Sequence, residues 1–249
     1  MHQILNEPIQ IDRPTDNKST VRVAIIVDES GSMLGATEAT VNSLNAYLDE
    51  QATNNDPTVV SLYTFNSNTG VLDRFRSVNA KDSPRLKRNN DLFENPDIDR
   101  KLIYAPTGGT PLYDAIATVI SEETTGIPTL VVVLTDGYEN SSKEYPRLAD
   151  IQTLIKKQED EGWTFTFLCA GLSREESVSY TSNLMGRDYG AATMTYEKGA
   201  EDQAIRGLAI STRSWDTETR HRAATGEKLD VKKFTDQFYA ANVRDVKKK

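Results

Sequence analysis

Histidine and cysteine are nearly missing from this chain. Its 249 residues contain two histidines, His2 and His221, both near the ends, and a single cysteine, Cys169. One cysteine excludes an internal disulfide framework and favours a reducing, intracellular setting. The scarcity of histidine argues against a Ser-His-Asp or Cys-His hydrolase and against a His-rich zinc site. No run approaches the roughly 18 consecutive apolar residues that a membrane-spanning helix needs. The start, Met1 to Pro8, lacks the basic region followed by an apolar one that marks a secretory signal. A cytoplasmic location without membrane insertion is therefore the expectation. A Gly-x-x-x-x-Gly-Lys-Ser/Thr string, which would cradle phosphates, is absent too.

What is present describes a water-soluble globular chain: 37% of residues are hydrophobic and 27% charged, a composition well short of disorder. The net charge of -8 is unevenly spread. Residues 217–249 carry +4 and the remainder -12. An acidic body repels phosphate backbones, so nucleic-acid binding by the folded part is disfavoured. The length suits one large domain with arms. The expected division is an N-terminal arm over 1–20, one domain over 21–216, and a basic, charged C-terminal tail over 217–249.

Order begins at Val21. Val21 to Val27 is an almost entirely β-branched apolar run ending at Asp28, the pattern of a strand buried on both faces of a parallel sheet. Leu34, Val41, Leu44 and Leu48 follow at helical spacing. Val59 to Phe65 reads as a second strand and Val71 to Val78 as a more polar edge strand. Asn79 to Lys101 is charged and irregular, and reads as a long surface connection. Leu112, Ala115, Ile116, Val119 and Ile120 mark a helix, and Leu130 to Leu134 another buried strand, ending at Thr135-Asp136-Gly137. A helix over Leu148 to Ile155, a strand over Thr164 to Ala170, a helix over Glu175 to Met185 and a strand near Ala192 to Tyr196 come next. Ala204, Ile205, Leu208 and Thr212 give a last helix, after which periodicity fades. This alternation predicts an α/β fold, a doubly wound, mostly parallel sheet flanked by helices.

Functional crevices in such sheets lie outside the carboxyl ends of the strands. Two of the most buried-looking strands end there in acids, Asp28 and Asp136. The string Asp28-Glu29-Ser30-Gly31-Ser32 adds short hydroxyl side chains, and hard oxygens of this kind suit a small hard cation such as Mg²⁺.

These residues resemble the von Willebrand factor A domain with its metal-ion-dependent adhesion site. Asp28, Ser30 and Ser32 match the family's Asp-x-Ser-x-Ser loop. Thr110, within Gly108-Gly109-Thr110-Pro111-Leu112-Tyr113, is similar to its metal-site Thr, and Asp136 to its final Asp. The resemblance covers about Val21 to Ser214. It implies a divalent cation, Mg²⁺ first, with Mn²⁺ and Ca²⁺ accepted by the same oxygens. It also implies neutral Ser and Thr ligands, with Asp28 and Asp136 often acting through water. The metal would then keep positive charge and grip a Glu or Asp carboxylate of a partner protein. Family members are mostly adhesion or complex-assembly modules, and some intracellular relatives work beside AAA-type ATPases. The expected function is a non-enzymatic protein-interaction module serving as an intracellular adaptor or assembly subunit.

Two alternatives stay open. A Mg²⁺-dependent hydrolase or phosphotransferase would also place an Asp at a strand end. Aspartate-nucleophile phosphatases resemble Asp-x-Asp, however, and here the second-next residue is Ser30; no histidine stands in any candidate loop to act as acid or base. A structural assembly subunit that leaves its site unused is the other.

Neighbouring residues have plainer readings. Glu29 occupies the variable position of the motif and is expected in solvent. Asp114 either orients a loop or is an ordinary exposed helix residue. Thr107 and Asn140 read as loop hydrogen-bonding residues, and Asn140-Ser141-Ser142 as a glycosylation pattern that is silent without a secretory route. Cys169 reads as a buried structural thiol. His221, between Arg220 and Arg222, sits among charges that oppose metal binding. In the tail, Phe234, Phe238 and Tyr239 form an apolar stripe that could enter a groove or pack back on the domain.

Overall fold

Apolar β-branched runs pair with one another because only a strand surrounded by strands and covered on both faces buries every side chain. The computed structural model describes residues 20–54, 58–123, 126–188, 193–197 and 201–226, and the side chains of the last stretch from residue 204. Residues 1–19 of the expected arm, Ala192 and the tail residues from 227, with Phe234, Phe238 and Tyr239, lie outside the described residues.

The chain runs β1 (Val21–Asp28), α1 (Thr37–Ala52), β2 (Thr58–Asn66), β3 (Gly70–Asn79), β4 (Lys87–Arg88), α2 (Asp91–Glu94), β5 (Ile103–Tyr104) and α3 (Leu112–Glu122). It continues with β6 (Thr129–Thr135), α4 (Leu148–Asp160), β7 (Thr164–Ala170), α5 (Arg174–Met185), β8 (Thr193–Tyr196) and α6 (Glu201–Thr225). Six strands form the main sheet in the order β3-β2-β1-β6-β7-β8, and β4 and β5 form a separate small pair. Every pairing in the main sheet is parallel except β2 with the edge strand β3.

β1, β2, β6 and β7 are buried along their whole length. α1 packs against α6, while α3, α4 and α5 follow one another in contact, so helices flank the sheet as the alternation predicts. The apolar positions of α3, Leu112, Ala115, Ile116, Val119 and Ile120, are all buried. Tyr47 on α1 meets Thr212 on α6 through their hydroxyls at 3.0 Å.

Two stretches differ from expectation. The segment after β3 is more than a surface connection: Leu86 is fully buried, and its backbone N–H and C=O both bond the Asn45 side-chain amide of α1, at 2.9 and 3.0 Å. A charged stretch hides this anchor because one buried leucine leaves no periodicity. The boundary placed at 216/217 falls inside α6. The helix continues through polar sequence because Asp216 pairs with Arg220, and Glu218 with Arg222 at 2.5 Å, each one turn apart.

From β1 the chain moves outward to β2 and β3, then returns to place β6 on the other side of β1. The β1/β6 boundary is therefore the point where the winding reverses, the place beyond the strand ends where sheets of this kind carry their functional crevices.

Candidate metal centre

Asp28 ends β1 and Asp136 follows the last residue of β6, two neighbouring parallel strands in register up to Val27 and Leu134. Register alone brings the two acids to the same end of the sheet. Thr135 fixes the first of them, its hydroxyl donating to Asp28 Oδ2 at 2.7 Å, while the Ser30 N–H donates to Asp28 Oδ1 at 2.8 Å. Ser30 and Ser32 hydroxyls lie 3.0 Å apart, and Ser32 Oγ donates to Asp136 Oδ1 at 2.6 Å. A short 3₁₀ turn, Gly31–Ala36, carries Ser32 out to solvent and is pinned by the fully buried Met33.

Thr110 arrives on a third loop. A Cβ at Gly137, next to Asp136, would stand 3.4 Å from Thr110 Oγ1 and 4.0 Å from Ser32 Oγ, so the Thr110 and Ser32 hydroxyls face the same spot beside Asp136. The five oxygen-bearing residues singled out in the sequence thus converge from three loops at the β1/β6 switch point.

Two glycines let those loops approach. Gly108 has φ of 72°, left-handed, and a Cβ there would come within 2.7 Å of Ser67 Oγ. At Gly109 a Cβ would collide with Ser141 Oγ and lie 2.8 Å from Asn140 Oδ1. Asn140 in turn accepts the Thr110 N–H at 2.9 Å and donates its own N–H to Thr110 O at 3.1 Å.

Around the site, Glu29 was misread in the sequence, while the readings of Asp114, Thr107 and Cys169 find their outcome in the structure. Glu29, expected in solvent, is buried: Arg74 Nη2 meets its Oε2 at 2.5 Å and the Ala105 N–H donates to its Oε1 at 2.5 Å. The partners stand far along the chain, so no local pattern signals the pair. Asp114 orients a loop, accepting backbone N–H groups of Lys143, Glu144 and Tyr145 at 2.8 to 3.2 Å. Glu139 accepts the N–H groups of Tyr113, Ser141 and Ser142. Together these carboxylates staple the start of α3, just after Thr110, to the loop that follows Asp136. Thr107 Oγ1 accepts from Asn68 Nδ2 at 3.0 Å, the loop role read for it. Cys169 is fully buried and desolvation pushes its thiol up to about 12, an inert structural residue.

Burial pushes the Asp28 carboxyl up to about 6 against the lowering effect of the Thr135 and Ser30 hydrogen bonds, with Asp136 adding to the rise. A carboxyl whose folded value lies above its unfolded one stabilises the fold fully below the unfolded value of 3.8 and loses that contribution as pH rises through about 6. Metal-free protein should therefore lose on the order of 3 kcal/mol from this group between pH 4 and pH 7. Urea titrations across that range check it, and Asp28→Asn should flatten the dependence; an unchanged slope in the variant would refute the assignment.

Among exposed large apolar side chains, Leu34 at 66% and Tyr138 at 46% lie on the site loops. Tyr138 is held edge-on against Tyr180 with ring centroids 4.8 Å apart. Among the described residues no helix is long and apolar enough to cross a membrane.

The family model for the von Willebrand factor type A domain matches residues 23–180. No curated protein sequence matches the chain. Among solved structures, the pilus adhesin SpaC from Lactobacillus rhamnosus GG, in its open conformation, aligns with a TM-score of 0.57 at 15% identity, covering 77% of this chain and 30% of that one. Proximal thread matrix protein 1 from the mussel byssus gives 0.54 at 16% identity over 76% of this chain and 45% of its own. A von Willebrand factor type A structure from Catenulispora acidiphila gives 0.50 at 13%, covering 78% and 42%. The chain spans less than half the length of each. At such identities the likeness speaks for the fold, and the family model supplies the rest: it runs from β1 through most of α5 and takes in all three site loops, so this chain belongs to the von Willebrand factor type A domain family.

Proposed function

We propose that Asp28, Ser30, Ser32, Thr110 and Asp136 hold a divalent cation, Mg²⁺ by preference, and that the chain uses it to bind a Glu or Asp side chain of a partner protein. The observation that carries this reading is the oxygen chain Ser30–Ser32–Asp136 at 3.0 and 2.6 Å, set beside the buried Asp28 at the switch point. The donor set fits the group: it is made of carboxylates and hydroxyls alone, the hard oxygens that Mg²⁺ and Mn²⁺ take. When bound, the cation would supply positive charge at the mouth of the site. The chain's own residues do the remaining work. Thr135 and Ser30 orient Asp28, Asn140 and Glu139 hold the Thr110 loop to the Asp136 loop, and the exposed Ser32 leaves the site accessible to a partner.

Domains of this family are generally non-catalytic interaction modules, which favours this reading over a Mg²⁺-dependent hydrolase. Ser32 bonds Asp136 and Thr135 bonds Asp28 in the structure. The same proposal places the chain in the cytoplasm, where its lone buried Cys169 stays reduced, with an AAA-type ATPase or another complex subunit as the kind of partner it would serve.

Affinity capture on the full chain tests the interaction. Proteins held in Mg²⁺ should be released by chelator and should be missing from Asp136→Ala and Thr110→Ala baits. Retention that ignores both chelator and substitution would remove the metal from the interaction. Hydrolysis of phosphate esters that disappears in Asp28→Ala would instead support the enzyme.

A further inference from the structure

Thr110 stands on a loop with no regular secondary structure between β5 and α3. Something must hold that loop against the Asp28 loop for a hydroxyl on one and a carboxylate on the other to share an ion. The hydrogen bonds that do so converge on Glu29, the residue beside Asp28. Its Oε1 accepts the Ala105 N–H at 2.5 Å, its backbone C=O accepts the Thr107 N–H at 2.8 Å, and its backbone N–H donates to Phe65 O at 2.9 Å. Its other carboxylate oxygen is taken by Arg74.

Arg74 on β3 uses the rest of its fork in the same place. Nη1 donates to Lys101 O at 2.8 Å and Nε to Thr64 Oγ1 at 2.7 Å. The Tyr104 hydroxyl donates to Asp28 O at 2.7 Å, and the Gly31 N–H to Gly108 O at 2.9 Å. Residues 101–108, leading to Thr110, are thus tied to the β1 loop by a buried ion pair and the bonds around it. Both Glu29 carboxylate oxygens have these partners, so Glu29 is turned to the Arg74 side and its bonds serve the loop.

We infer that the buried Glu29–Arg74 pair is a positioning device for the metal centre: it holds the Thr110 loop in register with Asp28, Ser30 and Ser32. The inference rests on the metal reading above. Residues that orient metal ligands through a hydrogen bond commonly alter affinity by roughly 10- to 100-fold when replaced. A generic buried pair affects stability and leaves affinity alone. The fold contains such a control: Arg22 at the start of β1 pairs with Glu123 Oε2 at 2.9 Å, both buried, at the end of the strand remote from Asp28.

Mn²⁺ is the probe, titrated calorimetrically into the full chain at a temperature where circular dichroism shows each variant folded. Glu29→Gln places amide hydrogens against Arg74, and Arg74→Lys keeps the charge but loses the planar fork. Both should weaken Mn²⁺ binding by roughly 10- to 100-fold, whereas Glu123→Gln should lower the melting temperature and leave Mn²⁺ affinity at the wild-type value. If Glu29→Gln does not fold, Arg74→Lys decides alone. Wild-type affinity in the folded Glu29 and Arg74 variants, or an equal loss in Glu123→Gln, overturns the positioning role. A wild-type chain that binds no Mn²⁺ overturns the metal reading itself, and this inference with it.

Discussion

Mg²⁺ or Mn²⁺ added to metal-free protein raises the melting temperature by roughly 5 to 10 °C when the cation stands near one hundred times its dissociation constant. The figure follows from linkage: a ligand that binds only the folded state at that excess adds about 2.7 kcal/mol, and a chain of this size gains roughly 2 to 4 °C per kcal/mol. The physical source is the pair of carboxylates at the ends of β1 and β6. Asp28 is buried, and desolvation first and the nearby Asp136 charge after it push its pKa up to about 6. A cation held as proposed would offset both by placing positive charge where the two acids converge. Asp136→Ala removes one of the acids and the acceptor of the Ser32 hydroxyl, so its melting curve should be the same in Mg²⁺ and in chelator. Coincident curves for the wild-type chain would count against a metal in this site.

Trp215→Ala costs about 3 to 5 kcal/mol, in the range for truncating a large buried aromatic. Trp215 is 1% exposed, and its indole N–H donates to Thr164 Oγ1 on β7 at 3.2 Å. It is the last large core residue on α6, one position before the boundary that periodicity suggests. Urea denaturation measures the loss, and an effect below 1 kcal/mol would show that α6 does not seal the core there. The same helix refines where the chain can be shortened. Ending it at Asp216 would strip Asp216 of Arg220 and remove the buried Thr219. Ending it after Gly226 keeps those contacts, and such a chain should retain both its stability and its Mn²⁺ response.

The long apolar runs were legible because their neighbours do not change their reading. Val21 to Val27 and Leu130 to Leu134 are too apolar and too rich in β-branched residues for an exposed element, and they form the centre of the sheet. The loops of the proposed site could be marked for a related reason: Asp28, Ser30, Ser32, Thr110 and Asp136 sit at the ends of those elements, in an order that resembles a known motif, and the structure brings the loops together.

Charged residues away from the motif were not legible, because burial of a charge is decided by a partner that local sequence does not show. Glu29 reads as solvated until β3 folds back antiparallel on β2 and delivers Arg74 to it across 45 positions. The two readings open for Asp114 are separated only when the loop after β6 offers it backbone N–H groups. The reach of α6 beyond Asp216 depends on ion pairs one turn apart, a signal that hydrophobic periodicity does not register. Composition and pattern by themselves determined the six strands of the main sheet and the winding class, and together with the family resemblance they marked five candidate oxygen donors. Only the tertiary structure decided which loops those donors share and which buried charges hold the loops together, because that depends on pairings between residues distant in the chain.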